Sequence, residues 1–129
     1  MSEVKTKYLA ICESDPGTQL LMNLFSLKMG FQPFIRKSCV ELMAGLLKEA
    51  IIPEAIFLQP SNHFDEAFQE LHQNELYRDY RDLPIIAITT DPRDEHREHM
   101  LALGLRETLL KPFGYDTLQR TVAMHCTGA

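Results

Sequence analysis

The stretch "LPIIAITTDPRDEHREHMLALG", residues 83–104, joins a predicted strand to a predicted helix. Residues 83–89 form a nearly continuous apolar and β-branched run, which is typical of a central strand covered on both faces. Asp91 and Pro92 are suited to be the N-cap and the first residue of a helix, and Gly104 is suited to end it. The stretch therefore predicts one strand followed by one helix, the repeating unit of a parallel sheet.

The same strand–helix order occurs five times along the chain. The predicted strands cover residues 7–12, 31–36, 54–58, 83–89 and 107–110. Pro33 favours an edge position for the second strand, because proline cannot donate a ladder hydrogen bond. Strands alternating with helices predict right-handed crossovers and a sheet covered on both faces. We therefore predict an α/β fold, a (βα)5 doubly wound parallel five-stranded sheet, in a single domain over 1–129 with its core over about 7–125.

Capping residues and apolar spacing predict the helices. Asp15 and Pro16 begin the first helix and Gly30 ends it, while Ser38 caps the second. The first helix has an amphipathic stripe of Leu20, Leu21, Leu24 and Leu27, and the second has an apolar face of Val40, Met43, Leu46 and Leu47. A third helix is predicted over 64–76, followed by an extended charged loop, and a last helix follows a turn at Pro112.

Composition limits the classes of function. The 129 residues are 45% hydrophobic and 24% charged, as is ordinary for one globular domain. A net charge of −5 argues against nucleic-acid binding, and no apolar run is long enough to cross a bilayer. The start has no signal-peptide pattern, and the three cysteines have no metal-like spacing. We expect a cytoplasmic protein with reduced thiols.

Polar residues stand at the carboxyl ends of four predicted strands. They are Glu13, Ser14 and Asp15, then Gln59, then Thr89 and Thr90, and finally Lys111 and Pro112. In open parallel sheets the functional crevice lies outside these ends. The sequence therefore predicts one site built from all four groups.

Four fragments, "ESDP", "PEAIFLQ", "LPIIAITT" and "GLRETLLKPF", give the chain a resemblance to the receiver domains of bacterial response regulators, the CheY-like fold. The resemblance covers nearly the whole chain and implies the strand order 2-1-3-4-5. In that family the first strand ends in an acidic pair that binds Mg²⁺, and the third ends in the aspartate that accepts a phosphoryl group. The fourth ends in Thr or Ser, and the fifth in Lys followed by Pro, usually through a cis peptide.

This chain departs from the family pattern at the residues that carry the chemistry. The phosphoacceptor position is Gln59, whose carboxamide has no anionic oxygen. The acidic pair is reduced to Glu13 and Ser14, so no cofactor is expected and Mg²⁺ binding should be weak or absent. Thr108 replaces an aromatic residue that is often coupled to switching. The resemblance thus implies a degenerate receiver, or pseudo-receiver, that retains the switch and phosphate-sensing positions Thr89, Lys111 and Pro112.

A lysine in a low-dielectric crevice needs a counter-ion. We predict that Lys111 pairs with Glu13 and donates to the Gln59 side-chain oxygen, while the Gln59 amide finds a backbone acceptor or Thr89. The alternative is a Lys111 side chain that points into solvent.

Other polar clusters favour ordinary structural roles. His96 and His99, with Glu95 and Glu98, are interpreted as a solvated helix face rather than a metal site. Cys12 is interpreted as a small buried residue. Ser14 and Ser61 have no histidine at a strand end to act as a base, so we expect no hydrolase and no other enzyme. The segment holding Tyr77, Arg78, Tyr80 and Arg81 is interpreted as a solvated loop, with a partner-binding rim as the alternative.

The resemblance also implies a partner surface on the fourth helix, fifth strand and fifth helix. Its candidate residues are Arg93, Arg97, Met100, Leu105, Arg106, Tyr115, Gln119 and, as a further candidate, His96. The same face would serve a weak homodimer if the chain is not a monomer. We expect a protein partner, a signalling protein or another domain of the same phosphorelay, and neither nucleic acid nor membrane.

Three functions remain open from the sequence. The preferred one is an atypical receiver of two-component signalling that acts as a phosphorylation-independent interaction module. The second is a receiver still phosphorylated at another carboxylate, for which Glu13 and Asp15 are the nearby choices. The third is a module that binds an anion or other ligand in the crevice beside Thr89 and Lys111.

Overall fold

The computed structural model describes residues 5–60, 73 and 75–126. Five parallel strands form one sheet in the order β2-β1-β3-β4-β5, which confirms the predicted order. The strands are β1 (Tyr8–Cys12), β2 (Gln32–Arg36), β3 (Ala55–Leu58), β4 (Ile85–Thr89) and β5 (Glu107–Leu110). Pro33 lies on the edge strand β2, as predicted.

The described helices alternate with the strands. They are α1 (Pro16–Lys28), α2 (Cys39–Lys48), α3 (Asp94–Leu103) and α4 (Tyr115–His125), with a 3-10 helix at Glu75–Tyr80. The helix predicted over 64–76 lies mostly outside the described residues, so α3 and α4 are the fourth and fifth predicted helices. The prediction of an extended charged loop after the third helix is wrong, because this segment forms the 3-10 helix.

Successive strand residues face opposite sides of the sheet and build two apolar layers. On one side Ala10, Ile56 and Ala87 pack with residues of α2 and α3. On the other side Ile11 and Ile88 pack with residues of α1 and α4. All five residues of β4 are buried, as expected of a central strand covered on both faces.

The rotation of α1 differs from the predicted one. The leucines of its stripe are exposed, with exposed fractions of 59% for Leu20, 41% for Leu21, 52% for Leu24 and 52% for Leu27. The buried residues are instead Thr18, Met22 and Ser26, at the i, i+4 spacing of one helix face. Packing fixes this rotation, because Met22 is fully buried in the apolar layer that contains Ile11 and Leu118. Asp15 caps the helix, and its carboxylate accepts hydrogen bonds at 2.8 Å from both the backbone nitrogen and the hydroxyl of Thr18.

Helices α2 and α3 also differ from their predictions. In α2 the buried residues are Leu42 and Leu46, whereas Val40 is exposed and Met43 and Leu47 are only partly buried. The helix predicted to begin at Pro92 begins at Asp94. The reason is local: the Asp91 carboxylate accepts from the backbone nitrogen of Arg93 at 3.0 Å, and this turn precedes the helix.

The glycine positions predicted to end helices are confirmed. Gly30 and Gly104 have positive φ angles of 89° and 108°, which place the chain in a conformation that favours glycine after α1 and α3. Ser38 caps α2 by accepting from the Glu41 backbone nitrogen, also as predicted. Within the described ranges, each helix is too short or too polar to cross a bilayer.

Candidate functional site

The carboxyl ends of the strands bring the predicted polar residues to one edge of the sheet. Cys12 of β1 lies opposite Leu58 of β3, so Glu13 and Gln59 leave the sheet side by side. The Gln59 backbone nitrogen donates to the Cys12 carbonyl at 2.8 Å. Across β4 and β5, the Lys111 backbone nitrogen donates to the Thr89 carbonyl at 2.8 Å. The parallel register therefore assembles one crevice from four strand ends.

An ion pair lies in this crevice. The Lys111 ammonium is 2.5 Å from Glu13 Oε1, and the exposed fractions of the two side chains are 15% and 0%. The second Glu13 oxygen, Oε2, accepts from the Asp15 backbone nitrogen at 3.0 Å. The predicted Glu13–Lys111 pair is confirmed, and the alternative of a solvent-directed Lys111 is wrong.

The Gln59 carboxamide has a different partner from the one we predicted. Its oxygen accepts from the Ser14 backbone nitrogen at 3.1 Å and from the Ser14 hydroxyl at 2.8 Å. The predicted donation from Lys111 to this oxygen is wrong, because both donors to it come from Ser14 while Glu13 holds the ammonium. Thr89 is likewise engaged, since its hydroxyl accepts from the Asp91 backbone nitrogen at 3.0 Å.

The carboxylates at this edge already have partners inside the chain. Glu13 is engaged by Lys111 and by the Asp15 backbone, while Ser14 is neutral. Asp15 caps α1, and hydrogen bonds from the Thr18 backbone and hydroxyl hold the pKa of its carboxyl below the ordinary value. In the part of the chain that the structure describes, no three His, Cys, Asp or Glu side chains form a group that could hold a metal ion.

Two further family positions can be placed. The Lys111–Pro112 peptide is cis, as the resemblance implied. Thr108 lies on β5 opposite Ala87 and is partly buried. Position 108 therefore carries a hydroxyl in place of the aromatic ring that the family often has.

The histidines of α3 lie in different surroundings. His96 is only 18% exposed and its Nδ1 lies 3.9 Å from an Asp91 oxygen, whereas His99 is exposed. Glu95 and Glu98 are exposed as well, which agrees with a solvated face for most of this cluster. The position of His96 is therefore a correction to the fully solvated interpretation.

The residues of the segment after the third predicted helix also differ in their burial. Tyr80 is 3% exposed and its hydroxyl donates to the Ile51 carbonyl at 2.9 Å. Burial raises the pKa of this phenol. Tyr80 therefore belongs to the core, so both the solvated-loop interpretation and the rim alternative are wrong for this residue, while Arg78 remains exposed. Ser61 lies outside the described residues.

The predicted partner surface contains core residues. Met100 and Leu105 are each 3% exposed, so they are wrong as members of a docking face. Tyr115 packs edge-on against Phe25 with ring centroids 5.5 Å apart, and the Lys28 ammonium lies 4.2 Å above its ring. The remaining members, Arg93, Arg97, Arg106 and Gln119, are exposed.

Sequence reasoning missed the exposed apolar surface of α1. We call Leu20, Leu21, Leu24 and Leu27 the α1 leucine surface. Beside it lies an open groove of about 720 Å³, whose lining includes Leu20, Ile35, Arg36 and Lys37. The sequence carried little signal for this rotation, because two of the three buried residues of α1, Thr18 and Ser26, are polar.

The fold is similar to that of solved receiver domains. The chemotaxis protein CheY4 of Vibrio cholerae aligns with a TM-score of 0.78 at 16% identity, covering 94% of this chain and 99% of that one. The receiver domain of the sensor histidine kinase PA1611 from Pseudomonas aeruginosa PAO1, solved with magnesium in its active-site cleft, aligns with a TM-score of 0.76 at 22% identity, covering 94% and 98%.

A third similar structure comes from Saccharomyces cerevisiae. The receiver domain of Ssk1, solved with the histidine phosphotransfer protein Ypd1, has a TM-score of 0.77 at 17% identity and coverages of 94% and 89%. No family model matches this chain, and no curated protein is similar to it in sequence. The structural likeness establishes the CheY-like receiver fold.

Proposed function

We propose that this chain is a receiver-type module of two-component signalling that binds a protein partner without being phosphorylated at position 59. The observation that carries the proposal is that the polar groups of the crevice bind one another. Lys111 is neutralised by Glu13, and the Gln59 oxygen is occupied by both donors of Ser14. The groups that would respond to a phosphoryl group in a working receiver already have partners inside the chain.

The chemistry at Gln59 supports the same proposal. A carboxamide oxygen is a neutral acceptor and cannot act as the anionic nucleophile that attacks phosphorus. Mg²⁺ gives up its waters reluctantly and is usually held by carboxylates together with phosphate oxygens. Ser14 and Gln59 contribute no charge, so Mg²⁺ affinity should be weak.

The ion pair supports a single resting arrangement of the crevice. Removing one member of a buried pair leaves an uncompensated charge, which is strongly unfavourable. Lys111 therefore stays beside the fully buried Glu13 unless a competing anion offers a better partner. This arrangement disfavours the alternative in which Lys111 and Thr89 are free to hold a ligand.

Phosphorylation at a neighbouring carboxylate is less consistent with the contacts. Glu13 would have to leave Lys111 and the buried crevice, and Asp15 would have to release the Thr18 cap that begins α1. Both alternatives require the site to rearrange before any phosphoryl transfer. The interaction module requires no such step.

The α1 leucine surface supports a protein as the partner. Leu20, Leu24 and Leu27 follow the i, i+4, i+7 spacing by which an amphipathic helix presents an apolar face to a groove or another helix. Lys28 is the only charged residue of α1, so little charge has to be desolvated when the surface is covered. The yeast Ssk1 receiver was solved with a histidine phosphotransfer protein, which supports a signalling protein as the partner here.

The test uses a partner captured from the native cell, purified, and titrated with the wild-type chain. We expect the dissociation constant to stay the same when acetyl phosphate and Mg²⁺ are added. Leu24→Glu with Leu27→Glu should weaken binding at least about tenfold, because charges on the apolar face must be desolvated. Val40→Glu on α2 is the matched control, because Val40 is also an exposed apolar residue, and it should leave binding unchanged. Phosphate-dependent affinity would contradict the proposal.

A further inference from the structure

Two cysteines from distant parts of the sequence lie in direct contact. The Sγ atoms of Cys12 and Cys39 are 3.3 Å apart. Cys12 is the last residue of β1 and is 3% exposed, while Cys39 is the first residue of α2 and is partly exposed. Both thiols are free. A disulfide has an S–S distance of about 2.05 Å, so the sulfurs need to approach by only about 1.2 Å.

The surroundings of Cys39 favour its thiolate. It is the first residue of a helix, where the backbone N–H groups and the helix dipole stabilise negative charge. A hydrogen bond from the Cys12 thiol also lowers the pKa of Cys39 below the ordinary value. Cys39 is the more exposed of the two, so an oxidant can reach its sulfur first.

We propose that Cys12 and Cys39 form a reversible disulfide when the protein meets a hydroperoxide, making this pair a site of oxidative modification. The proposal rests on the contact between the two sulfurs and on the position of Cys39 at the start of α2. It does not depend on the proposed function, because the thiols can react whether or not the crevice is phosphorylated.

The reaction balances with hydrogen peroxide as the oxidant. The Cys39 thiolate attacks one peroxide oxygen, the S–O bond forms, the O–O bond breaks, and hydroxide leaves and is protonated to water. The Cys12 sulfur then attacks Cys39 Sγ, so that the S–S bond forms and the S–O bond breaks. The departing hydroxide takes the Cys12 proton as a second water. Two thiols are oxidised and one peroxide is reduced.

Formation of the disulfide would change the structure of the candidate site directly. Cys12 immediately precedes Glu13, and its carbonyl accepts the hydrogen bond from the Gln59 backbone nitrogen at 2.8 Å. The Glu13 backbone nitrogen donates to the Arg36 carbonyl at 3.0 Å, which links the same strand end to the segment before α2. Closing the two sulfurs therefore pulls on the backbone that holds both Glu13 and Gln59.

The test treats the reduced 129-residue chain with a small molar excess of hydrogen peroxide and follows it by intact mass and peptide mapping. We expect a monomer that has lost two hydrogens, with the peptides of Cys12 and Cys39 joined. Dithiothreitol should restore the original mass. Amide NMR signals of Glu13, Ser14 and Gln59 should shift on oxidation and return on reduction.

Two variants make the test specific. Cys39→Ser changes a partly exposed residue and should abolish the cross-link, whereas Cys126→Ser should leave it unchanged. Cys126 is 6% exposed, and burial raises its pKa to about 11, so it is a poor nucleophile and a suitable control. Added oxygen on Cys39 without a joined peptide, a cross-link that survives in Cys39→Ser, or only intermolecular disulfides would overturn the proposal.

Discussion

Lys111 is the counter-ion of Glu13: its ammonium lies 2.5 Å from Glu13 Oε1, although the Glu13 side chain is completely buried. The two residues come from β1 and β5 ends that are separated by β3 and β4 in the sheet. A contact across this distance in the sheet requires both side chains to extend over the strand ends. The pair therefore spans the crevice in which Gln59 and Thr89 also lie.

Breaking this pair should destabilise the fold strongly. Glu13→Gln or Lys111→Met should each lower the free energy of unfolding by about 3–5 kcal/mol, because each leaves one uncompensated charge in the crevice. The double variant should lose less than the sum of the two, since it removes both charges together. Urea denaturation of the four proteins measures the coupling.

An exposed ion pair provides the control for that cycle. The Glu75 carboxylate lies 3.9 Å from Arg78, and both side chains are more than two-thirds exposed. Glu75→Gln should change the free energy of unfolding by no more than about 0.5 kcal/mol. Equal effects of Glu13→Gln and Glu75→Gln would show that the crevice pair is not buried in solution.

The rotation of α1 can be tested by comparing two of its apolar residues. Met22→Ala should cost about 2–5 kcal/mol, because Met22 is fully buried against the sheet. Leu24→Ser should cost no more than about 1 kcal/mol, because Leu24 is 52% exposed and mainly helix propensity is lost. The reverse order of the two unfolding free energies would support the rotation first expected from the leucine stripe.

The Asp15 cap should give the protein a specific acid dependence. Its folded-state pKa lies below the ordinary value of 3.8, because the Thr18 backbone and hydroxyl bind the ionised carboxylate. This contribution to stability is therefore full above pH 3.8 and is lost as the pH falls through the lower folded-state pKa. Asp15→Asn keeps an acceptor but removes the charge.

Melting temperatures of wild type and Asp15→Asn across this acid range measure the effect. The advantage of the wild type should be largest near neutral pH and should shrink as the carboxylate is protonated. A constant difference between the two proteins down to the lowest pH at which both fold would contradict the role given to the ionised cap.

Restoring two carboxylates should restore metal binding. Gln59→Asp combined with Ser14→Asp places two anionic groups where a neutral pair now lies in hydrogen-bond contact at 2.8 Å, beside Glu13. We expect Mg²⁺ to bind the double variant with an affinity at least about tenfold higher than the wild type, because carboxylate oxygens are its preferred protein ligands. Calorimetric titration of both proteins measures this, and equal affinities would show that the lost charges are not the cause of weak binding.

The sheet and the membership of the site could be predicted because both follow from strand periodicity. The continuous apolar character of residues 83–89 predicts a central strand. Parallel strands then bring their carboxyl ends to one edge of the sheet, where the site residues are Glu13, Gln59, Thr89 and Lys111. Opposite charge was sufficient to pair Lys111 with Glu13.

The remaining details depend on short-range geometry that periodicity does not contain. Helix α1 has apolar residues on both sides, so the stripe of leucines could not distinguish the exposed face from the core face, where Met22 lies between the polar Thr18 and Ser26. The partner of the Gln59 oxygen depended on the path of the loop at Ser14. Met100 was assigned to the partner face from the family resemblance, which does not fix the rotation of α3, and the structure places it in the core.

The central claim is that the crevice does not respond to a phosphoryl group, and amide NMR with beryllofluoride and Mg²⁺ tests it most directly. Beryllofluoride mimics a phosphoryl group on a carboxylate, and Gln59 offers none. We predict that the signals of Ser14, Thr89 and Lys111 stay unchanged through the titration, while the Gln59→Asp, Ser14→Asp variant shows saturable shifts. Saturable shifts of Thr89 and Lys111 in the wild-type protein would contradict the account.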